Sequence, residues 1–350
     1  MVIYMGKHHM VIEIGAGNTK ISVFRKDKDV FELFSGAIFN TPESGLRNEE
    51  LFSNISQFIK RVDAKKADLT ILLPEDGNDV ILDEITLPLG NKKELDGMVK
   101  SSLPGLLKDD ESLFYHSWRL RRTYAGEQGD FQIAAVRKEY MDMLHEIAEQ
   151  NKLRLVGADI TTNAVERLGS LLCTNPKYAP SAPSDAIAVV DVGQKNARIT
   201  VATKNSVSCV AVVSHNLYRM DKLIRESIYD QKEDSKVPFE MLKLNPSYAL
   251  RISQYDGFLS QLSSDIIRHI KQAISGENRC TLSCIYFTGG MYKTPKLVST
   301  VKESFDAPCY AFPIRDYMVM ADRCIHCQGN KMYPSEDIFA ASLGVWMGGV

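Results

Sequence analysis

Two short runs of this 350-residue chain carry residue types suited to holding a phosphate. Residues 11–24 read Val-Ile-Glu-Ile-Gly-Ala-Gly-Asn-Thr-Lys-Ile-Ser-Val-Phe, and residues 189–202 read Val-Val-Asp-Val-Gly-Gln-Lys-Asn-Ala-Arg-Ile-Thr-Val-Ala. Glu13, Gly15 and Lys20 align with Asp191, Gly193 and Arg198, each pair separated by the same 178 positions. A tight turn points its N–H groups inward as an anion nest, and a base just past it adds a charge-assisted contact. A carboxylate at the strand end can orient Mg²⁺ through water, because that ion keeps most of its hydration shell. Two such turns facing each other would clasp a β,γ-phosphate pair. The dinucleotide fingerprint fits less well, since Lys20 stands where its third Gly is needed and a strand follows. A Walker A loop is absent.

The elements that must position these residues are hairpins. Val11–Ile14 and Ile21–Phe24 are short β-branched or aromatic runs. Residues 15–18, and their counterparts 193–196, supply turn formers. Each half continues as mixed α/β. Leu51, Phe52, Ile55, Phe58, Ile59 and Val62 have helical spacing, and Leu69–Leu73 reads as a buried strand. Leu217–Tyr229 and Leu259–Ile274 read as helices, and Cys284–Thr288 as a strand broken by Gly289-Gly290. Thr294-Pro295 is expected to start a helix through Phe305. Val80–Val156 has the look of an inserted αβ module, and Asn175–Asp185, with three prolines, that of a hinge.

Composition bounds the function. Apolar residues make up 44% and charged residues 25%, a balance that allows a core in each half and excludes a disordered chain. A net charge of -2 argues against a general nucleic-acid binder. No apolar run approaches the roughly 18 residues of a membrane span, the first ten residues lack a signal-peptide core, and seven cysteines suit a reducing compartment better than a disulfide scaffold.

Other clusters point less far. Cys324, His326 and Cys327, with Cys309, could ligate Zn²⁺ or an iron–sulfur group, but the spacing gives no second Cys pair, and a loop with incidental cysteines is the expected reading. Arg119, Arg121 and Arg122 with Lys108 read as a solvated basic face, alternatively as a contact for an acidic membrane surface or a partner peptide. His8 and His9 read as a polar N-terminal stretch, and Trp118 and Trp346 as packed.

In order along the chain, the motifs resemble those of the actin, heat-shock-protein and sugar-kinase ATPases. Within that group the chain is most similar to the FtsA and PilM branch, and above all to the PilM family of type IV pilus assembly. Glu13-Ile14-Gly15 through Lys20 resembles the first phosphate motif, with Glu for the usual Asp, and Asp191-Val192-Gly193 the second, with Gln194-Lys195 in place of small residues. Glu240 and Lys243 resemble the pair that meets ribose and base, Gly289-Gly290-Met291 the adenosine motif, and Ala340–Val345 the closing helix.

The resemblance implies a duplicated actin-like (ribonuclease H-like) α/β fold. Domain I would span 1–184 with a 1C-type insert near 80–156, and domain II 185–350 with a 2B part near 217–276. It implies ATP and Mg²⁺ as ligands. Gly15, Gly17, Asn18, Thr19, Lys20, Asp191, Gly193, Gln194, Glu240, Lys243, Gly289, Gly290 and Met291 would hold the nucleotide, and Glu13 and Asp191 the ion through water. Hydrolysis would be slow at most, and no base is assigned. The implied partner is the cytoplasmic N-terminal tail of a PilN-like single-span membrane protein, docked between the insert and domain I, with homo-oligomers also possible. The chain ends without an FtsA-type membrane helix, which favours a cytoplasmic scaffold held at the membrane through that partner. The alternatives are an FtsA-like filament former and a small-molecule kinase of the same superfamily.

Overall fold

The computed structural model describes residues 8–348 except 16, 28–29, 43–47, 63, 65, 76–78, 125, 205, 216–252, 276–279, 295, 322–324 and 328–335. The expected helix at 217–229, Glu240 and Lys243 lie outside the described residues.

The first half opens with three antiparallel strands, β1 (His8–Ile14), β2 (Asn18–Asp27) and β3 (Val30–Asn40). Helix α1 (Glu49–Arg61) then leads to β4 (Asp68–Leu73), which returns parallel to β1. Asn48 caps α1 by accepting a hydrogen bond from the Leu51 N–H at 3.0 Å. After the insert come α3 (Lys138–Gln150), β8 (Arg154–Ile160), parallel to β4, and α4 (Thr161–Thr174). The second half repeats the plan with β9 (Asp185–Val192), β10 (Asn196–Ala202), β11 (Val207–Ser214), α5 (Ser253–Ser275), β12 (Thr281–Thr288), α6 (Leu297–Lys302) and β13 (Cys309–Ala311). The strand order β3-β2-β1-β4-β8 of the first sheet recurs as β11-β10-β9-β12-β13 in the second. The repeat seen in fourteen residues of sequence is thus a repeat of whole sheets.

Strand alternation sorts the layers. Met10, Ile12 and Ile14 face α1 and α3, while Val11 faces the opposite side. Ala188, Val190 and Val192 face α5 and α6, while Ile187 and Val189 face the opposite side. Those two opposite sides share one core with α4 and a C-terminal helix, α7 (Ala340–Gly348). The order is therefore helices, sheet, α4 with α7, sheet, helices. Gly344 lets α7 lie against α4, because a Cβ there would stand 2.3 Å from the Ala164 carbonyl oxygen.

The insert is a small sheet of order β5-β7-β6, built from β5 (Val80–Pro88), β6 (Phe114–Tyr124) and β7 (Gln128–Arg137). Helix α2 (Lys92–Leu106), with an Asn91/Glu94 capping box, covers it through Val99 and Leu103.

Several local expectations are corrected. The three-stranded sheet ends at Arg137, and α3 and β8 build on the first sheet: Tyr140, Leu144 and Ile147 pack into its core. His8 and His9, read as a polar N-terminal stretch, open β1, with His9 Nε2 3.0 Å from Thr70 Oγ1. The helix expected from Thr294 through Phe305 spans only Leu297–Lys302, because Lys296 adopts the left-handed conformation immediately before it. Ile325–Cys327, expected in a loop, forms β15, which like β14 (Val319–Met320) pairs parallel with β3. β14 and β15 thus follow the second sheet in sequence yet pair with the first. Cys324 lies outside the described residues, and Cys309 sits in the second sheet, so the proposed cysteine set is split between sheets. Trp346 is packed as expected, stacked on Phe24 at 4.5 Å. Among the described residues, no helix is long and apolar enough to cross a membrane.

Candidate functional site: a cleft between two duplicated hairpins

The same alternation that builds the core aims the charges. In β1 and β9, Glu13 and Asp191 share the inward faces of Val11 and of Ile187 and Val189. In β2 and β10, Lys20 and Arg198 alternate with Ile21 and Ala197, whose side chains face the outer helices. All four therefore point toward the space between the sheets, at the carboxyl ends of β1 and β9, where open α/β sheets bind ligands.

The two hairpins match in register. Glu13 lies directly across from Lys20, and Asp191 directly across from Arg198. Gly15 N–H donates to the Asn18 carbonyl at 3.1 Å, and Gly193 N–H to the Asn196 carbonyl at 2.9 Å. The turns line one cleft together with Asn18, Lys195, Pro74, Thr161 and Gly289-Gly290-Met291. Its empty space is about 670 Å³, a figure that includes open solvent at its mouth. At Gly289 φ is +90° and an added Cβ would meet the Val192 carbonyl oxygen at 2.5 Å and Asp191 Oδ1 at 2.6 Å, so glycine is required where the chain closes over the acid.

Each cation is engaged. The Lys20 ammonium pairs with Glu13 and donates to the Ile338 carbonyl at 3.0 Å. Ser342 of α7 donates to the other Glu13 oxygen at 3.3 Å. Arg198 reaches Asp191 at 3.4 Å and Glu75 at 2.5 Å. Glu75 follows β4 in the first half, so Arg198 ties the two halves together through a buried pair. The other oxygen of Glu75 accepts the Thr162 N–H at 2.7 Å, capping α4. Three carboxylates thus meet two cations. Burial alone would raise the Glu75 carboxyl, but Arg198 and the hydrogen bonds from Arg198 and Thr162 hold it below its ordinary value. Burial pushes Asp191 up, against the pull of Arg198 and Lys20.

The structure brings Glu13, Gly15, Gly17, Asn18, Lys20, Asp191, Gly193, Gln194, Gly289, Gly290 and Met291 to one cleft. Thr19 is not among the cleft residues: it is fully buried and its hydroxyl bonds Thr41 at 2.8 Å. Glu75 was missed. Its only sequence signal is an acid two residues past a buried strand, and its partner is 123 residues away.

The basic face expected at Arg119 and Arg121 is also corrected. Both side chains grip buried Glu166 of α4, each at 2.5 Å, which fastens the insert to the first half. A bulge between Leu120 and Arg122 accompanies this arrangement in β6. Beside the clamp, a second groove separates the insert from the first sheet, lined by Tyr115, Trp118, Arg119, Met141, Ile160 and Asn163. It runs between β6 and β8, the outermost strands of their sheets.

A family model for type IV pilus assembly protein PilM matches residues 43–333. A solved PilM-PilN type IV pilus biogenesis complex is similar over 97% of this chain and 98% of that one, at 18% identity and a TM-score of 0.72. The ethanolamine utilization protein EutJ from Carboxydothermus hydrogenoformans (12% identity, 90% of each chain, TM-score 0.44) and an archaeal actin homologue (14% identity, 96% and 97%, TM-score 0.40) are more distantly similar. No curated protein matches. With a duplicated α/β fold and a family match over most of its length, the chain belongs to the type IV pilus assembly protein PilM family.

Proposed function

We propose that the chain is a cytoplasmic scaffold of a type IV pilus or related secretion system that binds ATP with Mg²⁺ between its two hairpins. The single observation that carries this reading is the matched pair of hairpins, each with an acid facing a base, aimed at one cleft. The residues fit the ligand: three buried carboxylates against two cations leave negative charge that a divalent ion would offset. Glu13 and Asp191 would hold that ion through its bound water. The bound Mg²⁺ would neutralise phosphate charge. Lys20 and Lys195 would meet the phosphate chain, the turn N–H groups would orient it, and Gly289-Gly290-Met291 would border the adenosine.

Hydrolysis would be slow at most. Glu13, Asp191 and Glu75 are each engaged by Lys20, Ser342 or Arg198, and no residue is assigned as the general base. The groove between β6 and β8 is proposed to dock the cytoplasmic tail of a PilN-like single-span membrane protein, since two sheet edges and an aromatic wall suit an extended peptide. The scaffold would reach the membrane through that tail.

The test is thermal unfolding with millimolar Mg²⁺–ATP. At a hundredfold excess over Kd, binding adds about 2.7 kcal/mol of stability, and an unchanged melting temperature refutes the cleft reading.

A further inference from the structure

We propose that Gln194 determines how many phosphates the cleft accepts, so that a nucleoside diphosphate is taken more readily than the triphosphate. The inference rests on the cleft being a nucleotide site and deepens that reading.

Gln194 is the second residue of the second turn, and the residue 178 positions earlier in the sequence is Ala16. The long side chain crosses from one turn to the other. A Cβ placed on Gly17 would stand 1.3 Å from Gln194 Oε1, 2.3 Å from its Cδ and 2.9 Å from its Nε2. The carboxamide therefore occupies the face of Gly17, in the gap that two phosphate-clasping turns would share. Gly17 is the position where absence of a side chain would admit an oxygen, and Gln194 takes that room.

The placement is polar and poorly satisfied. Gln194 Oε1 is buried and, among the described residues, has no hydrogen-bond donor. A buried carbonyl without a donor is costly, so this arrangement yields when a competing group repays the turn of the amide. A phosphate oxygen cannot pair with Oε1, since both are acceptors. To admit a phosphate between the turns, the carboxamide must swing aside or present its NH₂. A shorter phosphate chain can meet Lys195 and the Gly193 turn without entering that gap, whereas a longer one must displace Gln194.

The experiment is calorimetric titration of the full chain with Mg²⁺–ADP and Mg²⁺–ATP, for the wild type, Gln194→Ser and Gln194→Asn. The wild type is expected to bind the diphosphate at least about tenfold more tightly. Gln194→Ser should bring the two affinities within about threefold by improving the triphosphate, with Gln194→Asn between. Equal wild-type affinities, or a ratio that stays the same in folded variants, overturn the proposal and leave the cleft reading standing. The wild-type ratio alone decides the matter if a variant does not fold. Absence of binding by either nucleotide overturns the cleft reading and this proposal together.

Discussion

Removing one partner of a buried ion pair strands the other charge in a poorly solvating interior. Glu75 and Arg198 are both nearly buried and belong to different halves of the molecule. Glu75→Ala should therefore destabilise the chain by about 3–5 kcal/mol, read by guanidinium unfolding, whereas an exposed ion pair would cost under about 1 kcal/mol. Glu75 also gives a pH signature. Its carboxyl is held below the ordinary value, so the stability it adds is present at neutral pH and lost as pH falls through its folded value. His215, next to the second hairpin, acts at higher pH. Burial brings it from 6.5 to about 4, so the unfolded chain takes up a proton that the folded chain refuses. Stability should fall between about pH 6.5 and 4, and His215→Gln should flatten that slope when unfolding is followed at pH 7.5, 6 and 5. Asp191 has the opposite sign: its raised value favours the folded state at acid pH and opposes it at neutral pH.

Helix α4 holds the elements together. Its first turn is capped by Glu75, its middle holds Glu166 between two insert arginines, and its side receives α7 at Gly344. Gly344→Ala puts a methyl 2.3 Å from a backbone oxygen that cannot rotate away, and should cost about 1–3 kcal/mol through displacement of α7. Glu166→Ala should loosen the insert before the rest of the molecule, seen as faster amide exchange in β5–β7 with exchange in β9–β12 unchanged. These contacts explain what could be read from sequence. The hairpins were legible because Glu13 and Lys20 lie across one turn from each other, as do Asp191 and Arg198, so local spacing encodes the site. Helix α1 was legible from its periodicity. Glu75 with Arg198, and Arg119 with Glu166, were not, because those pairs span 123 and 47 residues. The basic patch looked solvated only because its acid lies on a distant helix. The pairing of β14 and β15 with the first sheet had no local signal: they are two and three residues long and are set by their partner β3.

At the scale of the molecule, duplication places two copies of one acid–turn–base device on the facing sides of two sheets. A ligand that touches both turns binds one relative arrangement of the halves better than others and favours it by that difference. The loop 175–184 joining the halves, expected to be a hinge, is held at one end, where Lys177 and Tyr178 both bond Asp316. The central claim is that the facing hairpins form a nucleotide site. Its most direct measurement is calorimetric titration of the full chain with Mg²⁺–ATP, beside Lys20→Ala and Asp191→Ala variants shown to be folded. The expected result is one site per chain in the wild type, weakened at least about tenfold by either substitution. No binding heat in the wild type, or the same affinity in both variants, would contradict the account.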